Sequence, residues 1–418
     1  MVRRTYHGDI IVGLDVGTTK ICAVVGEAVN GNLEFRGVST SSSAGLRKGV
    51  VVDVEATVES IKNAIKAAEE MTGVEINAVY VGISGGHIKG FDSYGAVGIR
   101  GKEVTPVDVD RVIDSAKAVY VPLDREVLHV IPTGYTLDGQ NGIKDPAGMV
   151  GMRLEAKAYI VTGAVTSVQN LLKCCEKAGL DVIDIVFEPL ASAEAILTDD
   201  EKELGVAIVD IGGGTTDIVL YKDGWLRHSS VLAVGGNHFT NDIAVGLRIP
   251  VAEAERIKKS FGSTIASMID SSEEIDVLQA GKGRKIRRRN LAEIIQPRTE
   301  ELLDLIKQEL VSCSGYDIAS TGVVLTGGGS LLEGLDRMAG MALEMPVRIG
   351  FPRNVKGCDD IVDSPMYATG AGLVLYGFDT ALSRVFYPDT YTGIFGKMKE
   401  WMKGIFLIKK GGSEHVRN

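Results

Sequence analysis

The sequence predicts an α/β fold made of two duplicated halves, and three stretches carry that expectation. Ile10-Ile11-Val12-Gly13-Leu14-Asp15-Val16-Gly17-Thr18-Thr19-Lys20 and Val206-Ala207-Ile208-Val209-Asp210-Ile211-Gly212-Gly213-Gly214-Thr215-Thr216-Asp217 share one pattern. Each is a β-branched apolar run, the mark of a buried strand, that ends in an aspartate and a glycine-rich turn before a second apolar strand. The third stretch, from Val323 to Leu335, runs a strand into Gly327, Gly328 and Gly329 and then into an apolar-periodic segment.

An anion at the tip of each hairpin is the chemistry these residues suit. Gly17, Gly212, Gly213 and Gly214 permit positive φ and let backbone N–H groups approach a phosphate, and Thr18, Thr19, Thr215 and Thr216 add hydroxyl donors. Asp15 and Asp210 would repel that phosphate unless a hard cation stood between them, so they imply Mg²⁺ held through water. No G-x-x-x-x-G-K-[ST] occurs, so neither turn is a P-loop. One such hairpin alone reads equally as an ordinary tight turn; two copies followed by the third motif point to a nucleotide. Ser330 is placed to N-cap a helix whose N-terminus favours an α-phosphate, with adenosine against the three glycines. Lys20 is long enough to reach a phosphate, although strand alternation can also turn it elsewhere.

The remaining elements follow in order. Asn32 to Gly37 continues the first meander, Val54 to Thr72 has helical periodicity, and Ile76 to Ile83 reads as a strand. Residues 84–163 interrupt this half and are long enough for a small α/β subdomain, with strand-like runs at Val127 to Ile131 and Leu154 to Val161. Thr105-Pro106-Val107-Asp108 opens a helix there with a capping box and proline in its first turn. A helix from Thr166 to Ala178, a strand from Val182 to Phe187 and a helix from Pro189 to Leu197 complete the first half. The second half carries its own insertion from about Gly235 to Gly322.

Composition excludes several classes. A chain of 418 residues with 45% hydrophobic content can bury a large core and divide into domains. The five cysteines, Cys22, Cys174, Cys175, Cys313 and Cys358, are scattered and form no CxxC pair, so neither a disulfide framework nor a zinc site is indicated and a reducing cytosol fits. The start shows no signal peptide, and no run is long enough to span a bilayer. A net charge of −10 argues against a nucleic-acid partner.

The C-terminus differs from the body. From Ile394 to Asn418 six Lys or Arg stand against two Glu, which puts +4 on this tail and leaves −14 on the rest. On a helical wheel Ile394, Phe395, Met398, Trp401, Met402, Ile405, Phe406 and Ile408 share one arc, bordered by Lys397 and Lys399 with Lys403 and Lys410 opposite. Over 394–410 this is the pattern of an amphipathic helix lying on an anionic membrane surface, tethered by a linker at 383–393. A helix docked on the protein's own core is the alternative.

In this order the motifs resemble the phosphate-1, phosphate-2 and adenosine elements of the actin, Hsp70 and hexokinase superfamily, an actin-like (ribonuclease H-like) two-domain fold. Within it the chain is most similar to the FtsA family of bacterial cell division. The more specific marks are Val81-Gly82-Ile83-Ser84-Gly85-Gly86-His87-Ile88-Lys89-Gly90, the stretch Leu291 to Arg298, and the tail. The resemblance implies subdomain 1A at 1–83 and 164–203, a 1C insertion at 84–163 in place of the 1B of actin, 2A at 204–235 and 323–382, and 2B at 236–322. It implies ATP and Mg²⁺ as ligands, with slow hydrolysis at most, because the Hsp70 lysine from 1B is missing. Glu188 matches the Hsp70 glutamate that positions the attacking water, and is also an ordinary first-turn acid. Glu255, Lys258 and Lys259 match the Hsp70 residues around ribose and adenine, or else form a solvated helix face.

The same resemblance supplies partners: the C-terminal peptide of the tubulin-like FtsZ, other copies of the chain in an actin-like protofilament, later division proteins, and the inner face of the cytoplasmic membrane at the division site. Lys282 to Arg289 is rich in basic residues and by itself reads as a solvated loop. The family's peptide site on 2B makes Arg298 the first candidate for FtsZ, followed by Arg288 and Lys285. Two rival readings remain, a PilM-like type IV pilus scaffold and a small-molecule kinase of the same superfamily.

Overall fold

The computed structural model describes residues 9–386 except 280, 281 and 354. The first half opens with the hairpin of β1 (Asp9–Val16) and β2 (Lys20–Val29), in which Asp15 lies opposite Cys22. β3 (Asn32–Ser42) runs five residues past the expected end at Gly37 and completes the meander. A two-residue ladder, β4 (Leu46–Arg47) with β5 (Val50–Val51), leads to α1 (Val54–Thr72). Asp53 caps α1 by accepting the Ala56 N–H, and Gly73 ends it in the left-handed conformation that a side chain would resist. Its buried stripe, including Ile61, Ala64, Ile65 and Ala68, presses on the sheet. β6 (Ala78–Ile83) then pairs in parallel with β1.

The chain next leaves the half for the insertion: β7 (Lys89–Gly98), α2 (Pro106–Lys117), β8 (Arg125–Leu137), β9 (Gln140–Ile143) and β10 (Arg153–Ala164). These strands form a separate antiparallel sheet in the order β7-β10-β8-β9, with a small core around Val104, Val112 and Leu154. The capping box read from the sequence is present, Thr105 and Asp108 each satisfying the other's backbone N–H. The chain returns through α3 (Val165–Lys177), β11 (Asp181–Phe187), α4 (Glu188–Ile196) and α5 (Asp199–Leu204).

The second half repeats the plan with β12 (Val206–Ile211), β13 (Thr216–Lys222) and β14 (Trp225–Leu232), followed by its own insertion. That insertion holds α6 (Gly236–Leu247), α7 (Val251–Phe261), the hairpin β15 (Glu274–Gln279) and β16 (Lys282–Arg287), α8 (Arg288–Ser312) and α9 (Gly315–Ile318). It closes with β17 (Val323–Thr326), α10 (Leu335–Leu343), β18 (Val347–Ile349), α11 (Asp359–Val362) and α12 (Ala368–Phe386).

The two main sheets have the orders β11-β6-β1-β2-β3 and β14-β13-β12-β17-β18. Each therefore has an antiparallel meander on one side of its first strand and two parallel strands on the other, so the duplication seen in the motifs extends to topology. Phe239, Ile243, Leu291 and Leu302 of the second insertion share one core with Ala207, Val209 and Ile211 of its sheet.

Four expectations are corrected. The helix after the three glycines begins at Leu335 behind Gly334, and Ser330 sits in a short 3-10 turn with its hydroxyl donating back to the Gly327 carbonyl at 2.7 Å. The basic run is the strand β16 and the start of α8 instead of a loop. Residues 383–386, expected to begin a linker, continue α12. α12, expected in the second half, packs on the first: Ala368, Ala371 and Val374 join the core of Leu14 and Val24, because small residues let the helix lie close to β1 and α4. The amphipathic segment 394–410, with Phe395, Lys397, Met398, Lys399, Trp401, Met402, Lys403, Ile405 and Phe406, lies outside the described residues. Among those described, no helix is long and apolar enough to cross a membrane.

Candidate functional site

The two glycine-rich turns meet face to face. A Cβ on Gly213 would stand 2.4 Å from Thr19 Cγ2, and one on Gly214 would stand 2.6 Å from Thr18 Oγ1. Neither these glycines nor Gly17 and Gly212 adopt positive φ, contrary to expectation. Glycine is required at Gly213 and Gly214 by the approach of one half to the other. Thr18 Oγ1 accepts the Gly49 N–H at 3.1 Å, Gly17 donates to the Lys20 carbonyl at 3.1 Å, and Gly212 donates to the Thr215 carbonyl at 2.9 Å. Thr19 is exposed at the tip and Thr215 is buried beside it. Thr216 is not a donor to the cleft: it is fully buried and its hydroxyl is spent on the Val234 carbonyl at 2.8 Å.

Behind the turns, acids converge. Asp15, Asp210 and Asp217 are 7%, 8% and 4% exposed. Asp210 and Asp217 are cross-strand partners on β12 and β13, at the register where the first hairpin pairs Asp15 with Cys22. Ser192 of α4 donates to Asp210 Oδ2 at 2.8 Å, and Ser84 at the end of β6 donates to Asp217 Oδ1 at 2.5 Å. Burial pushes Asp217 up to about 8, eased by the Ser84 hydrogen bond and reinforced by Asp210 and Asp15. Burial likewise raises Asp210 to about 6 against the Ser192 bond, with Asp15 adding to it. Glu188, the first residue of α4, is held well above the usual carboxylate range by burial and then by Asp15, Asp217 and Asp210.

Lys20 faces this group. Its Nζ lies 3.3 Å from Asp15 Oδ2, donates to the Met366 carbonyl at 2.8 Å and sits 5.7 Å above the Tyr367 ring. Burial works against its charge, but Asp15 and Asp210 outweigh it and Lys20 stays protonated, with the Cys22 thiol, itself pushed up to about 11 by burial, neutral beside it.

The third motif touches the second hairpin. Gly327 has φ 78°, and a Cβ there would fall 2.2 Å from Asp210 Oδ1; one on Gly329 would fall 2.3 Å from Ile211 Cγ2. Gly328 between them is open enough that a Cβ would meet only Met366, at 3.9 Å. On α7, Lys258 Nζ pairs with Glu255 at 2.6 Å and donates to the Gly236 carbonyl at 3.0 Å, while the Gly236 N–H donates to the Gly212 carbonyl at 2.9 Å. Glu255 and Lys258 thereby border the second turn; Lys259 reaches Glu255 at 3.3 Å but is largely in solvent.

The basic residues assigned to a peptide partner are separate from this cleft and already engaged. Lys285 is exposed and pairs with Glu274 across the hairpin at 3.4 Å. Arg288 is mostly buried, bridging Glu273, Glu333 and the Phe261 carbonyl. Arg298 makes two hydrogen bonds to Asp242, at 2.6 and 3.1 Å, and another to Glu301.

Sequence reasoning missed Asp217, Ser84, Ser192 and the Met366 carbonyl. Asp217 was legible, since pairing residues outward from the turn places it opposite Asp210; the other three arrive through long-range contacts that no local pattern announces.

Comparison with known proteins accords with this architecture. Residues 207–372 match the family model "Cell division protein FtsA", and residues 85–162 match "SHS2 domain inserted in FTSA". The chain is 44% identical to the cell division protein FtsA of Pseudomonas aeruginosa over 411 residues, covering 96% of this chain and 99% of that one. Among solved structures, the PilM–PilN type IV pilus biogenesis complex matches with a TM-score of 0.64 at 17% identity, covering 88% of this chain and 98% of the other. MreB5 of Spiroplasma citri bound to ADP matches with a TM-score of 0.53 at 17% identity, covering 90% and 98%. At those identities the two structures show the fold, which is actin-like. Duplicated hairpins, the inserted sheet and identity over nearly the whole chain lead to one assignment: this protein belongs to the FtsA family of cell-division proteins.

Proposed function

We propose that the chain binds ATP with Mg²⁺ in the cleft between its halves and tethers FtsZ filaments to the inner face of the cytoplasmic membrane at the division site. One observation carries the nucleotide part: two hairpin turns in contact, backed by three buried aspartates and Glu188 with Lys20 the cation hydrogen-bonded among them. Carboxylates that raise one another's pKa call for additional positive charge. A divalent cation supplies it and draws in the phosphates that the same acids would otherwise repel. Asp15 and Asp210 would hold Mg²⁺ through water; among the described residues no three His, Cys, Asp or Glu side chains are grouped for direct ligation. The turns would take the phosphates, with ribose and adenine between Glu255–Lys258 and Gly327–Gly329. ADP bound to the fold in MreB5 agrees with this.

ATP then acts chiefly as a conformational ligand, because it contacts both halves and biases the angle between them, and with it the contacts of an actin-like protofilament. Turnover would be slow, with Glu188 orienting water. The tail pattern supports membrane attachment, Arg298 supports capture of the acidic FtsZ peptide, and family membership supports recruitment of later division proteins to the inserted subdomain. A pilus scaffold shares the fold but not the 44% identity to a division protein, so division is the reading kept.

Flotation with anionic vesicles, in ATP, tests the tether: the full chain is expected to float and a truncation ending at Tyr391 to remain below. Equal behaviour of the two would remove the membrane role. ATP binding is tested with Asp210→Ala combined with Gly328→Asp, which should abolish it.

A further inference from the structure

The motif from Val81 to Gly90 supplies Ser84 to the acidic cluster and continues into the root of the insertion. Beyond β6 the chain turns through Ser84-Gly85-Gly86-His87 into the inserted sheet. There His87 lines a small cavity of about 10 Å³, together with Gly82, Ser84, Gly49, Leu171 and Glu188. That volume is near the smallest that admits one water molecule. Both imidazole nitrogens of His87 are buried, and neither meets a protein hydrogen-bond partner.

The backbone that carries the ring is held in place. Arg125 of β8 donates through Nη2 to the His87 carbonyl at 2.9 Å and through Nε to Thr162 Oγ1 at 3.0 Å, which pins the root of the insertion. Burial and then the Arg125 charge hold the imidazole below its ordinary pKa, so the ring is neutral, with one nitrogen to donate and one to accept. Opposite it, a Cβ on Gly82 would stand 2.9 Å from Glu188 Cγ, so glycine is what leaves room for that side chain over β6. A buried polar ring without a partner is unfavourable, and a carboxyl orients a nucleophile best when a hydrogen-bond partner fixes it. One shared water would pair one of the two ring nitrogens and give the Glu188 carboxyl a fixed partner.

We infer that His87 is a positioning residue for ATP hydrolysis, sharing a water molecule with Glu188 in this cavity and thereby fixing the carboxyl that orients the attacking water. The inference rests on the reading of the cleft as an ATP site with Glu188 at the reacting end.

The experiment measures ATP affinity and single-turnover hydrolysis by the full chain and by His87→Phe, His87→Gln, Glu188→Gln and the His87→Phe/Glu188→Gln double variant. His87→Phe should keep ATP affinity within about twofold and slow hydrolysis on the order of tenfold, a loss in turnover and not in binding. His87→Gln, polar and of similar reach, should recover most of that rate. The double variant should be no slower than Glu188→Gln, since groups acting as one unit are not additive. Full turnover in His87→Phe, losses that multiply in the double variant, or a wild type that binds ATP without hydrolysing it would each overturn the inference. Should His87→Phe fail to fold, a His87→Gln rate equal to that of Glu188→Gln would do the same. A wild type that does not bind ATP would overturn the cleft reading itself, which separates the two failures.

Discussion

Ser84 and Asp217 lie 133 positions apart in sequence and 2.5 Å apart in space, hydroxyl to carboxylate, across the boundary between the two halves. The bond joins the strand that feeds the inserted sheet to the hairpin that faces the cleft. It links the insertion's root directly to the acidic cluster.

Asp217 titrates near 8 because it is buried beside Asp210 and Asp15, with the Ser84 bond working the other way. A folded-state value above the unfolded one means the folded chain holds this proton more tightly. Its stabilisation is therefore complete below about pH 4 and is lost as pH rises toward 8. Without nucleotide the melting temperature should fall between about pH 6 and about pH 8, and Asp217→Asn should flatten that slope. Ser84→Ala should steepen it. Calorimetry across this range checks all three, and a wild-type slope that Asp217→Asn leaves unchanged would refute the assignment.

His129 of the inserted sheet has the opposite sign. Its Nε2 accepts the Phe187 N–H at 2.9 Å, immediately before Glu188, and burial lowers the ring to about 4. This contribution is present above the unfolded value of about 6.5 and is lost as pH falls through 4. His129→Ala leaves a buried N–H unpaired and a void behind it, costing about 2–4 kcal/mol at neutral pH. Denaturant unfolding near pH 7 and pH 5 should show the gap between variant and wild type narrowing in acid.

The contact between the turns allows little substitution. Gly213→Val would drive side-chain atoms into Thr19, where a Cβ alone already comes within 2.4 Å of Thr19 Cγ2. Overpacking of this kind costs about 1–3 kcal/mol, and spreading the halves should weaken ATP binding at least about tenfold. Isothermal titration against the wild type measures it; unchanged affinity would mean the turns do not hold the nucleotide.

At the proposed peptide site Arg298 is already held by Asp242 and Glu301, whose carboxylates compete with a partner's. Asp242→Asn should therefore tighten an acidic FtsZ-type peptide by about three- to tenfold, and Arg298→Glu should abolish the gain. Fluorescence titration of a labelled peptide decides it. Equal affinity in Asp242→Asn and wild type would show that Arg298 is a structural ion pair.

The duplicated hairpins, α1 with its bounds, the insertion between β6 and α3, and the aspartates Asp15 and Asp210 near the ends of their strands could all be read from the chain alone. Each of these is written in a local repeat, a period or a cap, interactions that act over a few residues. It took the folded chain to show that Gly213 and Gly214 are glycines because Thr18 and Thr19 press on them, that Thr216 turns inward to Val234, and that Ser330 sits in a tight turn before the helix. The fold also returned α12 to the first half and brought Ser84 and Ser192 to the acids of the cleft and the Met366 carbonyl to Lys20. Those outcomes depend on which surfaces meet after the chain has folded back on itself, and a contact between separate elements, whether 18 positions apart as in Ser192 and Asp210 or 133 as in Ser84 and Asp217, leaves no period in the sequence from which to read it.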